Sequence, residues 1–322
     1  MKRPDFRLIE GTLKELDFPK LAIIEVISVC NLRCIMCPQK NMDKKPGKMK
    51  FYLWKKIIDE IAERSPWTEV WPAIMGEPLL MGDDLLKMIG YATGRGIRKI
   101  MLNTNAALLD RRMSRRIAEV GVKQVIFGLD AATEKTYRRI RVGGDFNRVT
   151  SNIMYLAGLL RKKGLRAPTL IAQFIEMDEN TKERVLFKEM WLERGVAVKI
   201  RPKLGWGYGV AARNLDFSQR KRIPCPWLMR TMSVHYNGRV AQCDADYEGH
   251  FYAGDLNYQT IDEVWNGELK RRRKLHWERR FPSLPCGKCN DWKAGLSEFY
   301  FPDEPEKVIY KTQLEGVDRG EK

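Results

Sequence analysis

Apolar positions follow two patterns that alternate over the first two thirds of the chain. Short continuous runs rich in Val, Ile and Leu predict buried strands, whereas segments with apolar residues every three or four positions predict amphipathic helices. The predicted strands cover residues 21–28, 69–74, 99–103, 124–129, 169–175 and 197–201. The predicted helices cover residues 53–64, 83–93, 110–120, 146–163 and 182–193. This α/β order predicts a partial (β/α)6 TIM-like barrel, not the closed eightfold form.

The chain changes character after the sixth predicted strand. The glycine-rich segment at residues 205–209 marks a domain boundary, and it lacks the following Lys-Ser or Lys-Thr of a phosphate-binding loop. Beyond it, Asn237 and Gly238 separate two short apolar runs and predict a β-hairpin, and residues 261–280 predict a helix. We therefore divide the chain into an N-terminal segment (1–20), a barrel (21–205), a small C-terminal hairpin-and-helix domain (206–293) and a charged, peripheral tail (294–322).

Composition and charge narrow the class of protein. No uncharged apolar run is long enough to cross a membrane, and the charged start lacks the apolar stretch of a secretory signal, so we expect a cytoplasmic protein. The net charge of +17 can attract anions, including phosphorylated substrates. Because the basic residues are spread out and no zinc-finger, RRM or KH motif occurs, we expect no nucleic-acid partner. Seven cysteines in a reducing compartment indicate metal binding or redox chemistry.

Three of these cysteines form a CxxxCxxC motif directly after the first predicted strand. Cys30, Cys34 and Cys37 therefore lie at the strand end where α/β barrels place their chemistry. Three thiolates leave one iron of a [4Fe-4S] cluster without a protein ligand, whereas ferredoxins ligate all four irons with cysteine. The open iron of such a cluster can bind a substrate or a cofactor.

The motif and its position resemble those of the radical SAM superfamily. The resemblance implies that the open iron chelates the amino and carboxylate groups of S-adenosylmethionine (SAM). It also implies that the reduced cluster splits SAM and that the resulting 5′-deoxyadenosyl radical abstracts a hydrogen atom from the substrate. The electron would come from a flavodoxin- or ferredoxin-type donor.

Short motifs at later strand ends extend the resemblance to the SAM site. The residues that it assigns to SAM binding are Gly76, Glu77, Pro78, Asn103, Thr104, Asn105, Asp130, Arg141 and Gln173. Residues 76–78 resemble the family's GGEP motif, and residues 103–105 resemble its TNG element. Met75 and Ala106 stand where the family has glycine, and Gly128 stands where serine is usual. The fork of the Arg141 guanidinium suits the SAM carboxylate.

The other four cysteines form a second group in the C-terminal domain. Cys225 and Cys243 are spaced as C-x12-G-x4-C, and Cys286 and Cys289 follow as C-x2-C. This spacing resembles the SPASM/twitch extensions of radical SAM enzymes, which implies one auxiliary [4Fe-4S] cluster. An all-cysteine zinc site remains the alternative for this group.

The cysteine count favours one class of reaction. Three plus four ligands use all seven cysteines, so no free thiol remains to return a hydrogen atom to a substrate radical. A fully ligated cluster can instead accept an electron, which favours a two-electron oxidation of a sugar, an aminocyclitol or another small molecule, including an anionic one. The aminocyclitol dehydrogenases have a similar architecture. The alternatives are a radical SAM epimerase or other carbohydrate-modifying enzyme, and a peptide or protein maturase.

Two alternatives, a maturase and a non-catalytic binding protein, predict other features of the protein. Only about 20 residues precede the first predicted strand, which leaves little chain for the leader-peptide domain typical of maturases. A non-catalytic zinc or nucleic-acid-binding protein would contain zinc and no iron.

Polar residues near the strand ends are the candidates for substrate contact. Glu25, Gln173, Glu176 and Arg201 qualify by position. Glu176 could accept a proton from the oxidised group. Arg201 stays protonated, so it would orient the substrate or stabilise negative charge.

Overall fold

The computed structural model describes residues 10–11, 13–207, 209–211, 222–281, 285–293 and 296–312. Its strands are β1 (Leu21–Ile24), β2 (Glu69–Trp71), β3 (Met101–Thr104), β4 (Gln124–Gly128), β5 (Thr169–Glu176), β6 (Ala197–Pro202), β7 (Thr231–Val234), β8 (Arg239–Ala241), β9 (Gly254–Asp255), β10 (Leu296–Phe301) and β11 (Glu304–Thr312). Its helices are α1 (Phe51–Arg64), α2 (Asp83–Gly94), α3 (Arg111–Ile117), α4 (Glu134–Ile140), α5 (Phe146–Lys163), α6 (Arg184–Glu193), α7 (Pro226–Arg230), α8 (Ile261–Asn266) and α9 (Glu268–Trp277).

The six predicted barrel strands lie side by side in chain order. β1 pairs with β2, and β3, β4, β5 and β6 pair in succession, all in parallel. A parallel bridge between Val70 and Ile100 joins the two sheets. This arrangement confirms the mixed α/β fold and the partial barrel that the sequence pattern predicted.

The helices pack on the outside of this wall because each carries an apolar stripe. In α1, for example, Leu53, Trp54, Ile57, Ile58 and Ile61 are buried at the three- and four-residue spacing of one helix face. These side chains join a large core cluster that also includes the outward-facing side chains of the barrel strands. No helix in the described part of the chain is both long and apolar enough to cross a membrane.

The first strand is shorter than the sequence predicted. β1 ends at Ile24, whereas the apolar run continues to residue 28. Glu25 N still donates to Val234 O of β7, but residues 26–28 leave the sheet and pair with another loop: Met49 N donates to Val26 O, and Ser28 N donates to Gly47 O. The apolar side chains of this segment are therefore buried by a loop contact and not by a strand neighbour.

The C-terminal domain is continuous with the barrel. β7 pairs in parallel with β1, and β8 and β9 extend that sheet. The predicted hairpin is confirmed, with Gly238 at φ 91° in the turn between β7 and β8. The helix predicted at 261–280 is instead two helices, α8 and α9, because the chain turns at Gly267.

Residues 296–312 of the segment predicted to be a peripheral charged tail extend the sheet of the barrel wall. β10 pairs antiparallel with β6, and β11 pairs with β10. Phe299, Tyr300 and Phe301 are buried, and only the strand beyond them is rich in charge. The expectation of a peripheral tail was wrong because the many charged residues of the segment outweighed a short apolar run, which pairs with the edge of β6.

We expect Phe299→Ala to lower the free energy of unfolding by about 3–5 kcal/mol, because a phenyl ring that is 1% exposed is removed. Tyr258→Ala is the matched control, since its side chain is 87% exposed and its loss should change stability by about 0.5 kcal/mol or less. Denaturant unfolding measures both. Equal stability of the two variants would mean that β10 does not pack against the barrel.

Candidate active site

A cavity of about 240 Å³ lies within the barrel and joins most of the predicted site residues. Its wall includes Cys30, Cys34, Cys37, Gly76, Glu77, Asn103, Thr104, Asn105, Arg141, Gln173 and Arg201. The wall also includes Trp227 and Asp244, which are close in sequence to Cys225 and Cys243. The cavity therefore extends from the first cysteine group to the residues beside the second.

The loop that carries the first three cysteines is held against the end of α4. Arg33 N donates to Val142 O and Ile35 N donates to Ile140 O, which fixes the backbone on both sides of Cys34. The side chain of Arg33 also donates to the Cys30 carbonyl oxygen at 2.8 Å. The three thiols are consequently presented to the cavity by an irregular loop with a defined path.

Electrostatics make this loop suited to a cationic group. Burial raises the pKa of Cys30, with a further increase from Glu77 and the Cys34 thiol. Burial also raises the pKa of Cys37 to about 11, with a further increase from the Cys34 and Cys30 thiols. Three thiolates crowded at a buried site repel one another unless positive charge compensates them. The donor set thus fits an iron–sulfur cluster, whose irons supply that charge.

Glu77 connects the two motifs that the sequence assigned to SAM. Its buried carboxylate accepts hydrogen bonds from Thr104 Oγ1 at 2.7 Å, from Asn105 N at 2.8 Å and from Leu79 N at 3.1 Å. Burial raises the pKa of this carboxyl group, although these donors oppose the shift. Two carboxylate oxygens offer about four acceptor sites, so capacity remains for one donor from a ligand.

The glycines of these motifs differ in what they require. A Cβ on Gly76 would lie 2.1 Å from the Ile27 carbonyl oxygen, so only glycine fits between the two segments. Ala106, which replaces the glycine of the TNG element, has φ 59° and is fully buried. The departure at Ala106 therefore keeps the left-handed backbone conformation that glycine would adopt at lower cost.

Arg141 and Asp130 form a buried ion pair at 2.5 Å. Asp130 is outside the cavity wall, and its other oxygen accepts from Ile175 N at 2.7 Å. Burial alone would lower the pKa of Arg141, but Asp130 and the Cys34 thiol raise it, so the guanidinium stays charged. A Cβ on Gly128 would lie 2.6 Å from this guanidinium, which explains why glycine replaces the usual serine. The geometry makes Asp130 a support for Arg141.

The second group of four cysteines also converges. Burial raises the pKa of Cys225 to about 12, and the Cys286 thiol contributes to that increase. The pKa of Cys243 is raised first by burial and then by surrounding charges that include the other three thiols of the group. Asp291 N lies 3.3 Å from the Cys289 sulfur and donates to it. Four buried thiols with amide donors fit a fully ligated iron–sulfur cluster.

The arrangement bears on the zinc alternative. Within the described ranges, no three His, Cys, Asp or Glu side chains are gathered closely enough to hold a single metal ion. Zinc requires four ligands within about 2.3 Å of one centre, whereas a cube distributes its thiolates over separate irons. In the described ranges, therefore, neither cysteine group is arranged around a single metal ion.

The four predicted substrate residues do not all lie in the cavity wall. Arg201 lies in the cavity wall, where its Nε donates to Gln173 Oε1 at 3.2 Å. Glu176 is not among the wall residues and forms an ion pair with Arg184 at 3.0 Å. Glu25 is fully buried and pairs with Lys44 at 2.9 Å. The structure thus brings Arg201 and Gln173 to the cavity and gives the two glutamates other partners.

Sequence reasoning missed Lys199, which lies in the cavity wall. A signal was available, because side chains two positions apart on a strand share a face and Arg201 was already a candidate. Trp71, also in the wall, was missed because a strand tryptophan is typical of a core.

Comparisons with known proteins agree with this geometry. A family model of the radical SAM superfamily matches residues 24–176, and a model of the iron–sulfur cluster-binding SPASM domain matches residues 225–290. The tungsten-containing aldehyde ferredoxin oxidoreductase cofactor-modifying protein of Pyrococcus furiosus is 28% identical over 55% of this chain and 49% of its own length. The mycofactocin maturase MftC of Mycobacterium tuberculosis is 27% identical over 49% of this chain and 39% of its own. The chain matches half or less of the length of these relatives.

Solved structures share the fold. BtrN in complex with AdoMet and 2-DOIA aligns with a TM-score of 0.53 at 17% identity, over 80% of this chain and 86% of that one. Streptococcus suis SuiB bound to the precursor peptide SuiA aligns with a TM-score of 0.64 at 14% identity, over 89% of this chain and 73% of that one.

We expect Gly76→Ala to reduce stability by about 1–3 kcal/mol, because the new methyl group would collide with the Ile27 backbone. Gly158→Ala is the control: it lies within α5, where a methyl group meets no heavy atom within 4 Å, and helix propensity predicts a gain of about 0.5–1 kcal/mol. Denaturant unfolding compares the two. A neutral Gly76→Ala would show that the loop has room to move.

Proposed function

The chain belongs to the radical SAM superfamily and carries a SPASM-type iron–sulfur domain, and from that premise we propose that it oxidises a small molecule by two electrons. The family's chemistry supplies a 5′-deoxyadenosyl radical from SAM, and the residues of this chain select, position and deprotonate the substrate. The observation that supports the proposal is one cavity lined by the first cysteine group and by Trp227 and Asp244, which are close in sequence to the second, in a chain with no eighth cysteine.

The first group and its neighbours would hold the SAM-binding cluster and SAM. Cys30, Cys34 and Cys37 would ligate three irons of the [4Fe-4S] cluster. The remaining acceptor capacity of Glu77 suits an amino group, and the charged fork of Arg141 suits a carboxylate. Asp130 would keep Arg141 in place for that contact.

The second group would hold an auxiliary [4Fe-4S] cluster that takes up one electron. Cys225, Cys243, Cys286 and Cys289 leave no iron open, so the cluster would exchange electrons and bind no substrate. The wall position of Asp244, next to Cys243, brings this domain to the substrate cavity. The distance for electron transfer from the substrate to the auxiliary cluster would therefore be short, as an oxidation requires.

The cavity wall indicates the kind of substrate. Arg201 and Lys199 contribute basic groups, and Trp71 and Trp206 contribute flat apolar surface. Such a wall suits a small polyhydroxylated or anionic molecule, such as a sugar or an aminocyclitol. The solved BtrN complex holds AdoMet and 2-DOIA in the same fold, which supports this class. A flavodoxin- or ferredoxin-type protein in the cytoplasm would supply the electron that starts the reaction.

A peptide maturase is the second candidate. Two matched proteins favour it: MftC, which is named as a maturase, and SuiB, which was solved with a precursor peptide. A peptide would have to present one side chain to the cavity while the rest lies outside the barrel.

Iron content tests the two cysteine groups. We expect anaerobically prepared protein to contain about eight irons and no zinc. The C30A/C34A/C37A variant should keep about four irons and form no 5′-deoxyadenosine, because the open-iron cluster is absent. The C286A/C289A variant should also keep about four irons and lose product, yet still form 5′-deoxyadenosine. SAM cleavage by the first variant would contradict the assignment.

Product mass tests the reaction. Incubation with SAM, a low-potential reductant and a panel of sugars and aminocyclitols should give a product lighter by two hydrogens, with one 5′-deoxyadenosine per product. Deuterium on the oxidised carbon should appear in 5′-deoxyadenosine, because the radical abstracts that atom. A product of unchanged mass would contradict the oxidation, and turnover of peptides alone would support the maturase.

A further inference from the structure

Lys199 is a buried lysine whose side chain reaches the active-site cavity. The residue is 2% exposed and lies in the cavity wall. In the described part of the chain, its amino group contacts two aromatic rings. Burial removes the hydration of the amine and aromatic rings compensate only part of that loss, so its charged form is disfavoured.

The sheet defines where this amine points. Lys199 and Arg201 alternate on β6 with Val198 and Ile200, which belong to the outer core. Across the sheet, Lys199 is in register with Gln173 on β5 and with Phe299 on β10. The amine is thus fixed in the inner layer of the barrel by three neighbouring strands.

Two aromatic rings surround the amine. Its Nζ lies 5.7 Å from the ring centre of Trp71 and 5.4 Å from that of Phe299. These rings exclude water from the uncharged amine, and they also attract an ammonium ion once it forms. The environment therefore tolerates both protonation states, as a group that exchanges a proton requires.

The charged neighbours are few. Arg201 on the same strand repels the ammonium form, and Glu69 on β2 attracts it, while β5 and β10 contribute the neutral Gln173 and Phe299. Burial, and then Arg201, lower the pKa of Lys199 to about 7. A substantial fraction of the amine is therefore uncharged at neutral pH.

We infer that Lys199 is the proton acceptor of the oxidation, an inference that rests on the proposed function. Oxidation of an alcohol carbon to a carbonyl removes a hydrogen atom and an electron from carbon and a proton from oxygen. The radical derived from SAM would take the hydrogen atom and the auxiliary cluster would take the electron, so the amine of Lys199 would take the proton. This assignment replaces Glu176, whose carboxylate is paired with Arg184 outside the cavity wall.

Competitive labelling tests the protonation state of the Lys199 amine in the holoenzyme. Acetic anhydride is applied anaerobically across a pH series, and mass spectrometry reports acetylation of each lysine. Lys199 should react with a midpoint near pH 7, whereas an ordinary lysine has a midpoint near about 10.4. A midpoint in the ordinary range would overturn the inference.

Two variants test the cause of the shift. Arg201→Met removes the repelling charge, so the midpoint of Lys199 should move to higher pH. Glu69→Gln removes the attracting charge, so the midpoint should move to lower pH. Shifts in the opposite directions would contradict the proposed environment.

Substitution of Lys199 separates a proton acceptor from a fixed cation. Lys199→Met should lower the product formed per 5′-deoxyadenosine by about 100-fold or more. Lys199→Arg should be equally impaired, because arginine keeps the positive charge and cannot release its proton. Lys188→Met is the control, since Lys188 lies 5.3 Å from the Tyr300 ring but is absent from the cavity wall.

The outcomes distinguish this inference from the proposed function. If Lys199→Arg and the wild type formed the product lighter by two hydrogens at equal rates, Lys199 would not be the proton acceptor. The proposed oxidation would still hold. A product of unchanged mass from the wild type would overturn both. Loss of product in both Lys199 variants, with Lys188→Met active, supports the inference.

Discussion

The buried thiols and carboxylate of the active site repel one another when they are charged. The rest of the site has to compensate this repulsion. The first cysteine group and Glu77 share one buried region, where burial raises the pKa of Cys30, Cys37 and Glu77, and nearby negative charge raises the pKa of the two thiols further. Arg141 offsets part of that negative charge and is itself held by Asp130. A positively charged metal cluster supplies the rest. Without it, the loop that presents the thiols would hold charges that the barrel interior cannot stabilise.

The barrel meets this constraint by using one strand to support two centres. The loop after β1 carries the first cysteine group, and β7, which pairs with β1, lies between Cys225 and Cys243 of the second. The two cysteine groups are therefore positioned by a single piece of sheet. This continuity explains how one cavity can reach from the first group to residues beside the second.

The antiparallel strands β10 and β11 extend the sheet that carries Lys199 and Arg201. β10 covers the edge of β6 and brings Phe299 next to Lys199, and the same strand places Glu298 against Arg184 on the outside. β10 thus places an aromatic ring beside Lys199 and a carboxylate beside the arginine that pairs with Glu176. The chemical difference between Glu176 and Lys199 follows from this alternation of side chains on neighbouring strands.

The sequence by itself determined the features that depend on local pattern. Apolar periodicity predicted the order of strands and helices. Cysteine spacing predicted the first group, whose three thiols share one short loop, and the resemblance to SPASM/twitch extensions identified the second. Only the tertiary structure decided which distant residues meet. It paired Asp130 with Arg141 and Glu176 with Arg184. It also placed β10, which the sequence assigned to the tail, in the sheet beside β6. These contacts join residues far apart in the chain, and no local pattern specifies the packing that selects them.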